Sequence, residues 1–153
     1  MSGPTVVIGD QYFRVERPWG TMPAGRGLGV VSELALDSQG NVYVFQRTDP
    51  PVLVFDPSGE YVRDWGSGEI YDAHGIFIDA RDRVFLVDRD AHQVLIYSTG
   101  GCCLAAIGER HKPRLGGVFN HPTDVAVAEP WVTWLMIWLY ESLSDVLFVD
   151  ASG

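Results

Sequence analysis

Between Val30 and Ile107 the apolar residues come in short β-branched and aromatic runs, each closed by a cluster of Asp, Ser and Gly. Such runs, bounded by turn residues, predict strands. They fall at Ser32–Leu36, Val42–Gln46, Val52–Phe55 and Tyr61–Trp65, then again at Ile76–Ile78, Val84–Val87, Gln93–Tyr97 and Cys103–Ile107. The turns between them are Asp37-Ser-Gln-Gly-Asn41, Asp56-Pro-Ser-Gly59 and Asp79-Ala-Arg-Asp82. No window in this stretch carries the apolar stripe of a helix. The expected fold class is all-β.

The pattern repeats. Glu33-Leu-Ala-Leu-Asp-Ser-Gln-Gly-Asn-Val-Tyr-Val-Phe45 lies over Gly75-Ile-Phe-Ile-Asp-Ala-Arg-Asp-Arg-Val-Phe-Leu-Val87, and Asp124-Val-Ala-Val-Ala128 opens a third copy. Equivalent positions Leu36, Ile78 and Val127 stand 42 and 49 residues apart. That period belongs to the blades of a β-propeller, not to a helical solenoid. A four-stranded meander cannot bury both faces alone, so such units stack radially around a channel. The form DxxGxxYV, a turn, then VxxFDxxG resembles NHL repeats. Unit two departs from it, with Arg83 and Val84 where a Gly-led turn is usual. The implied organisation is a lead-in segment over 1–28, blades at 29–70 and 71–120, and the start of a third at 121–129. It resembles a propeller of the six-bladed kind, of which about two to three blades are present.

Composition narrows the partners. The 153 residues are 46% hydrophobic and 20% charged, which suits a globular chain. A formal net charge of −9 argues against nucleic acid, whose backbone needs clustered Lys and Arg. Cys102 and Cys103 are adjacent, so a bridge between them would be strained, and two buried or half-buried thiols are expected. The first residues show no secretory leader. The apolar run Trp131–Tyr140 is too short to span a bilayer, which takes about 20 residues.

Four local matches point to one family. Leu34-Ala-Leu-Asp-Ser-Gln-Gly-Asn-Val-Tyr-Val-Phe-Gln-Arg47, Asp72-Ala-His-Gly-Ile-Phe-Ile-Asp79, Ala91-His-Gln-Val94 and Phe119-Asn-His-Pro-Thr-Asp-Val-Ala-Val127 appear in order and at the right spacing. Together they resemble the peptidyl-α-hydroxyglycine α-amidating lyase (peptidylamidoglycolate lyase) family over residues 11–129. The resemblance implies a metal-dependent lyase that cleaves peptidyl-α-hydroxyglycine to a peptide amide and glyoxylate. It implies Arg47 as the catalytic arginine, a fork of permanent charge suited to a carboxylate. It implies His74 as one of three imidazole ligands to zinc, and the backbone carbonyls of Leu34 and Ile76 as ligands to a structural calcium. The family often works in secretory or extracytoplasmic compartments, and the localisation of this chain stays open.

Each residue has a plainer rival. Arg47 can pair with Asp49 at the surface, and His74 can cap a turn at a strand start. His92 reads as structural and His111 as exposed. His121 reads as a solvated loop histidine or an extra ligand. After Glu129 the repeat stops: Pro130–Ser144 holds three of the five tryptophans, and residues 130–153 read as a divergent apolar tail or a third blade in a shifted reading frame. The resemblance places the remaining two zinc histidines in blades this sequence does not hold, so a fragment with an incomplete site is expected. The competing reading is a non-enzymatic NHL interaction module, completed by self-association through open propeller edges or by a partner chain.

Overall fold

A computed structural model describes residues 3–113, 119–128 and 134–136. The chain forms β1 (Thr5–Ile8), β2 (Gln11–Arg14), β3 (Val31–Leu36), β4 (Val42–Gln46), β5 (Val52–Phe55), β6 (Tyr61–Trp65), β7 (Ala73–Ile78), β8 (Arg83–Asp88), β9 (Gln93–Ser98), β10 (Cys103–Gly108), β11 (Ala126–Ala128) and β12 (Trp134–Met136). Strands β3 to β6 and β7 to β10 make two four-stranded antiparallel sheets, each in sequence order. Among the described residues there is no helix, and so none long and apolar enough to cross a membrane. The architecture is all-β and matches part of a β-propeller.

Alternation along the strands assigns each face. Tyr43, Phe45, Val52 and Val54 of the first blade meet Val84, Leu86, Leu95 and Tyr97 of the second in one buried cluster. The intervening residues Phe85, Val87 and Val94 turn the other way, onto Phe119, just before the third unit, and Val125 within it. A side-chain period of two therefore buries both faces of the second blade. The opposite face of the first blade, Val44, Leu53 and Phe55, is covered by Met22 of the lead-in. Trp19 stands 5.8 Å from Phe55, and Thr21 forms a parallel bridge with Glu60. Sequence periodicity gave no sign of this cover, nor of the β1–β2 hairpin, whose residues are all exposed.

The turns use one device three times. Asp37 Oδ1 accepts the amides of Gln39 and Asn41, Asp56 Oδ1 those of Ser58 and Glu60, and Asp79 Oδ1 those of Arg81 and Arg83. This is why each unit needs an aspartate at the end of a strand. Gly40 takes φ 80° in the first such turn, and in the second blade Asp82 takes φ 57° at the matching place. An aspartate tolerates the left-handed region better than most side chains. Its carboxylate also reaches across the blades to the Ser38 amide (2.8 Å) and hydroxyl (2.6 Å). Asp82→Ala loses both bonds and keeps the backbone cost, so it is expected to destabilise by about 1–2 kcal/mol. Asp82→Gly loses the bonds but relieves the backbone, and should cost less. Urea unfolding of the two variants checks the order.

Two expectations need correcting. Cys102 and Cys103 are free and exposed, not buried, because Cys103 opens β10, the outermost strand of its sheet, and Cys102 lies in the turn just before it. Arg47 does not pair with Asp49, whose carboxylate instead accepts the Gly68 amide. The apolar tail falls outside the described residues except at Trp134–Met136, which pairs antiparallel with β11.

Candidate functional site

Strand β4 ends at Gln46, and the next residue is Arg47; β7 begins at Ala73, and the next residue is His74. The first strands of the two sheets, β3 and β7, lie in contact, and β4 also approaches β7. The two blades thereby bring Arg47 to the residues that precede His74. Arg47 Nε donates to the Ala73 carbonyl at 3.3 Å and lies 3.5 Å from Asp72 Oδ1. The same carbonyl accepts the Ser32 hydroxyl at 2.7 Å. Both contacts of Arg47 run through Nε, so neither uses the terminal amino groups of its guanidinium, and the side chain is 43% exposed. A pair this exposed is worth at most about 1 kcal/mol. Its value is orientation.

Asp72 is itself held. The buried carboxylate of Asp88 accepts the amides of Tyr71 and Asp72, both at 2.8 Å. Arg89 closes the other side: its amide donates to the Asp72 carbonyl, and its Nη2 lies 3.0 Å from Asp72 Oδ2. That last contact is an ion pair without an aligned hydrogen bond. Two guanidiniums thus flank one carboxylate, with Asp90 balancing Arg89 at 2.8 Å. Sequence reasoning missed Asp72, Asp88 and Arg89. The only signal was an Asp-Arg-Asp run, which reads as a solvated turn.

His74 is half-buried and its Nδ1 lies 2.8 Å from the Thr123 carbonyl oxygen. A carbonyl only accepts, so Nδ1 carries a proton, and in the neutral ring the lone pair then lies on Nε2. This is the tautomer of a metal-ligating histidine whose other nitrogen is anchored to a backbone carbonyl. Gly75 makes room for that carbonyl, which would stand 3.0 Å from a Cβ at this position. Leu34 and Ile76 lie on the touching strands β3 and β7, and the Ile76 amide is taken by Glu33 Oε2 at 2.9 Å.

Of the other histidines, His111 is exposed, with its ring 5.0 Å from Tyr71, while His92 is buried beside His121. Burial, then the neighbouring His121, pull His92 below its ordinary value of 6.5 against the opposing pull of Asp90. A histidine whose folded value is lowered binds fewer protons folded than unfolded, so its contribution to stability is full above the unfolded value. It is lost as the pH falls from about 6.5 through the lowered folded value. His92→Asn is expected to flatten the rise of unfolding free energy across this window, as measured by urea unfolding at stepped pH.

Among the described residues no three His, Cys, Asp or Glu side chains come together as a metal site. The site therefore shows one histidine held through Nδ1 and one arginine held by the two residues that precede that histidine. No protein-family model matches the chain. Among curated proteins, peptidyl-alpha-hydroxyglycine alpha-amidating lyase 1 of Drosophila melanogaster is similar to it, with 28% identity over 130 residues. The match takes in 67% of this chain but 24% of that relative, so the chain spans about a quarter of the length of the curated protein it resembles.

Proposed function

We propose that the chain carries the arginine and one metal-ligand position of a lyase acting on peptidyl-α-hydroxyglycine. The observation that supports it most is the anchored tautomer of His74, two residues from the Asp72 that holds Arg47. Such a substrate is a carbinolamide with a terminal carboxylate. Its cleavage removes the hydroxyl proton, forms the aldehyde of glyoxylate, breaks the C–N bond and leaves the proton on the amide nitrogen. Arg47, permanently charged, binds the carboxylate and steadies the negative charge that grows on the hydroxyl oxygen. His74 would hold zinc through Nε2, and the zinc when bound would polarise that oxygen. Its remaining ligands would come from outside the described residues. The carbonyls of Leu34 and Ile76 would hold calcium, a hard cation suited to oxygen donors.

The test is binding of N-benzoyl-α-hydroxyglycine, and glyoxylate release from it, with added zinc. With an incomplete site, the expected result is zinc-dependent binding of the compound, lost in His74→Ala; glyoxylate release above the zinc-only blank would support the reading further. No release, together with no zinc-dependent binding of the compound, would sink the reading.

One feature favours a second reading, an interaction module completed by another copy. Strand β10 is exposed from Cys103 to Ala106 and carries no charge along its length, whereas the matching outer strand β6 carries Arg63 and Asp64. Uncharged outer strands pair readily with other strands. Sedimentation over a concentration series, with and without Ala105→Lys, distinguishes a self-associating chain from one whose mass stays constant.

A further inference from the structure

We propose that His92 is a positioning residue for His74: it fixes the segment His121–Thr123, whose last carbonyl sets the His74 tautomer. The functional consequence rests on the reading of His74 as a metal ligand, but the coupling itself does not.

The His121 amide donates to His92 Nδ1 at 3.1 Å. An amide can donate only to a nitrogen that carries a lone pair, so the His92 ring is neutral with its proton on Nε2. The two histidines therefore hold opposite tautomers, His92 with Nδ1 bare and His74 with Nδ1 protonated. Between the two bonds lies one residue, Pro122, which is buried and whose ring fixes φ. Little slack is left between the His121 amide and the Thr123 carbonyl. A displacement at one end must move the other.

His92 is itself clamped from several sides. Its backbone sits at φ 60° and its amide donates to the Arg89 carbonyl at 3.1 Å. Its own carbonyl presses on Gly108, where a Cβ would stand 2.4 Å away. Its ring meets the His121 ring edge-on, with centroids 4.4 Å apart. The titratable groups around it are Asp88 at the end of β8, Asp90 in the turn that follows, His111 in the loop beyond β10 and His121 at the opening of the third unit. Its acceptor thus links a corner of the second blade to the third unit, and the third unit returns a carbonyl to His74.

The experiment compares the wild-type chain with His92→Asn and His92→Phe by imidazole nitrogen NMR and amide exchange. Asparagine tolerates the left-handed backbone and keeps an acceptor; phenylalanine fills the space without one. The wild type and the Asn variant should show His74 protonated at Nδ1 and a protected His121 amide. The Phe variant should lose that single tautomer, expose the amide, and weaken zinc binding at His74 about tenfold. An unchanged His74 tautomer and unchanged amide protection in the Phe variant overturn the proposal. If the Phe variant does not fold by circular dichroism, an unprotected His121 amide in the wild type overturns it, and protection retained in the Asn variant supports it. Absence of zinc uptake by the wild type defeats the ligand reading of His74, while the tautomer result still decides the positioning role.

Discussion

Phe85→Ala is expected to cost about 3–5 kcal/mol, the range for emptying a buried phenylalanine site. Phe85 lies in β8 at 1% exposure, between Val87, Val94, Phe119 and Val125. Its ring also meets Phe77 at 6.4 Å, and the Arg83 guanidinium stands 5.5 Å over it. A domain holds only about 5–15 kcal/mol in all, so this one change takes a large share. The expected result is a fall in the urea midpoint with an unchanged slope. Leu86→Ala, on the adjacent residue, empties the other face and probes the contact between the two blades instead. If Phe85→Ala costs under about 1.5 kcal/mol while Leu86→Ala costs its usual 2–5, the opening of the third unit is not docked on the second blade in solution. Val62→Ala, at 48% exposure, is the control and should change stability by under about 0.5 kcal/mol.

Those three positions show what was legible in the sequence. Phe85 and Leu86 sit in a near-continuous apolar run, and the repeat placed their strand within one residue of its observed ends, Arg83–Asp88. The turn aspartates were legible because a carboxylate that binds its own downstream amides leaves a fixed spacing. The cover over the first blade was not. Trp19 reaches Phe55 and Thr21 reaches Glu60 over a separation that no periodicity encodes. Nor was the partner of Arg47 legible, since Asp49 is nearer in sequence and Asp72 nearer in space. Charge pairs across a blade boundary depend on how the sheets are stacked, and local pattern is blind to that. The cysteines failed for a related reason: thiol burial is a statistical habit, and position at the outer edge of a sheet overrides it.

Arg47 carries the largest expected functional effect. If the chain releases glyoxylate, Arg47→Ala should lower kcat/KM by about 10²–10³-fold, the loss typical of removing a donor that meets developing negative charge. Arg47→Lys should restore only part of it. The Nε contacts to Ala73 and Asp72 hold the guanidinium plane at a fixed point on its stem. Lysine has no donor at that point, so its ammonium is a point charge on an unpinned chain. The lysine variant should therefore keep attraction for the carboxylate, seen in KM, and lose alignment, seen in kcat. Asp72→Asn gives the converse check: Arg47 stays charged but loses its ionic partner, and kcat should fall more than KM rises. Stability should move little in the two Arg47 variants, because the Arg47 side chain is 43% exposed and its pair is screened by solvent. Equal activity for wild type and Arg47→Ala, with glyoxylate still released, would remove Arg47 from the reaction while leaving His74 to be judged on its own.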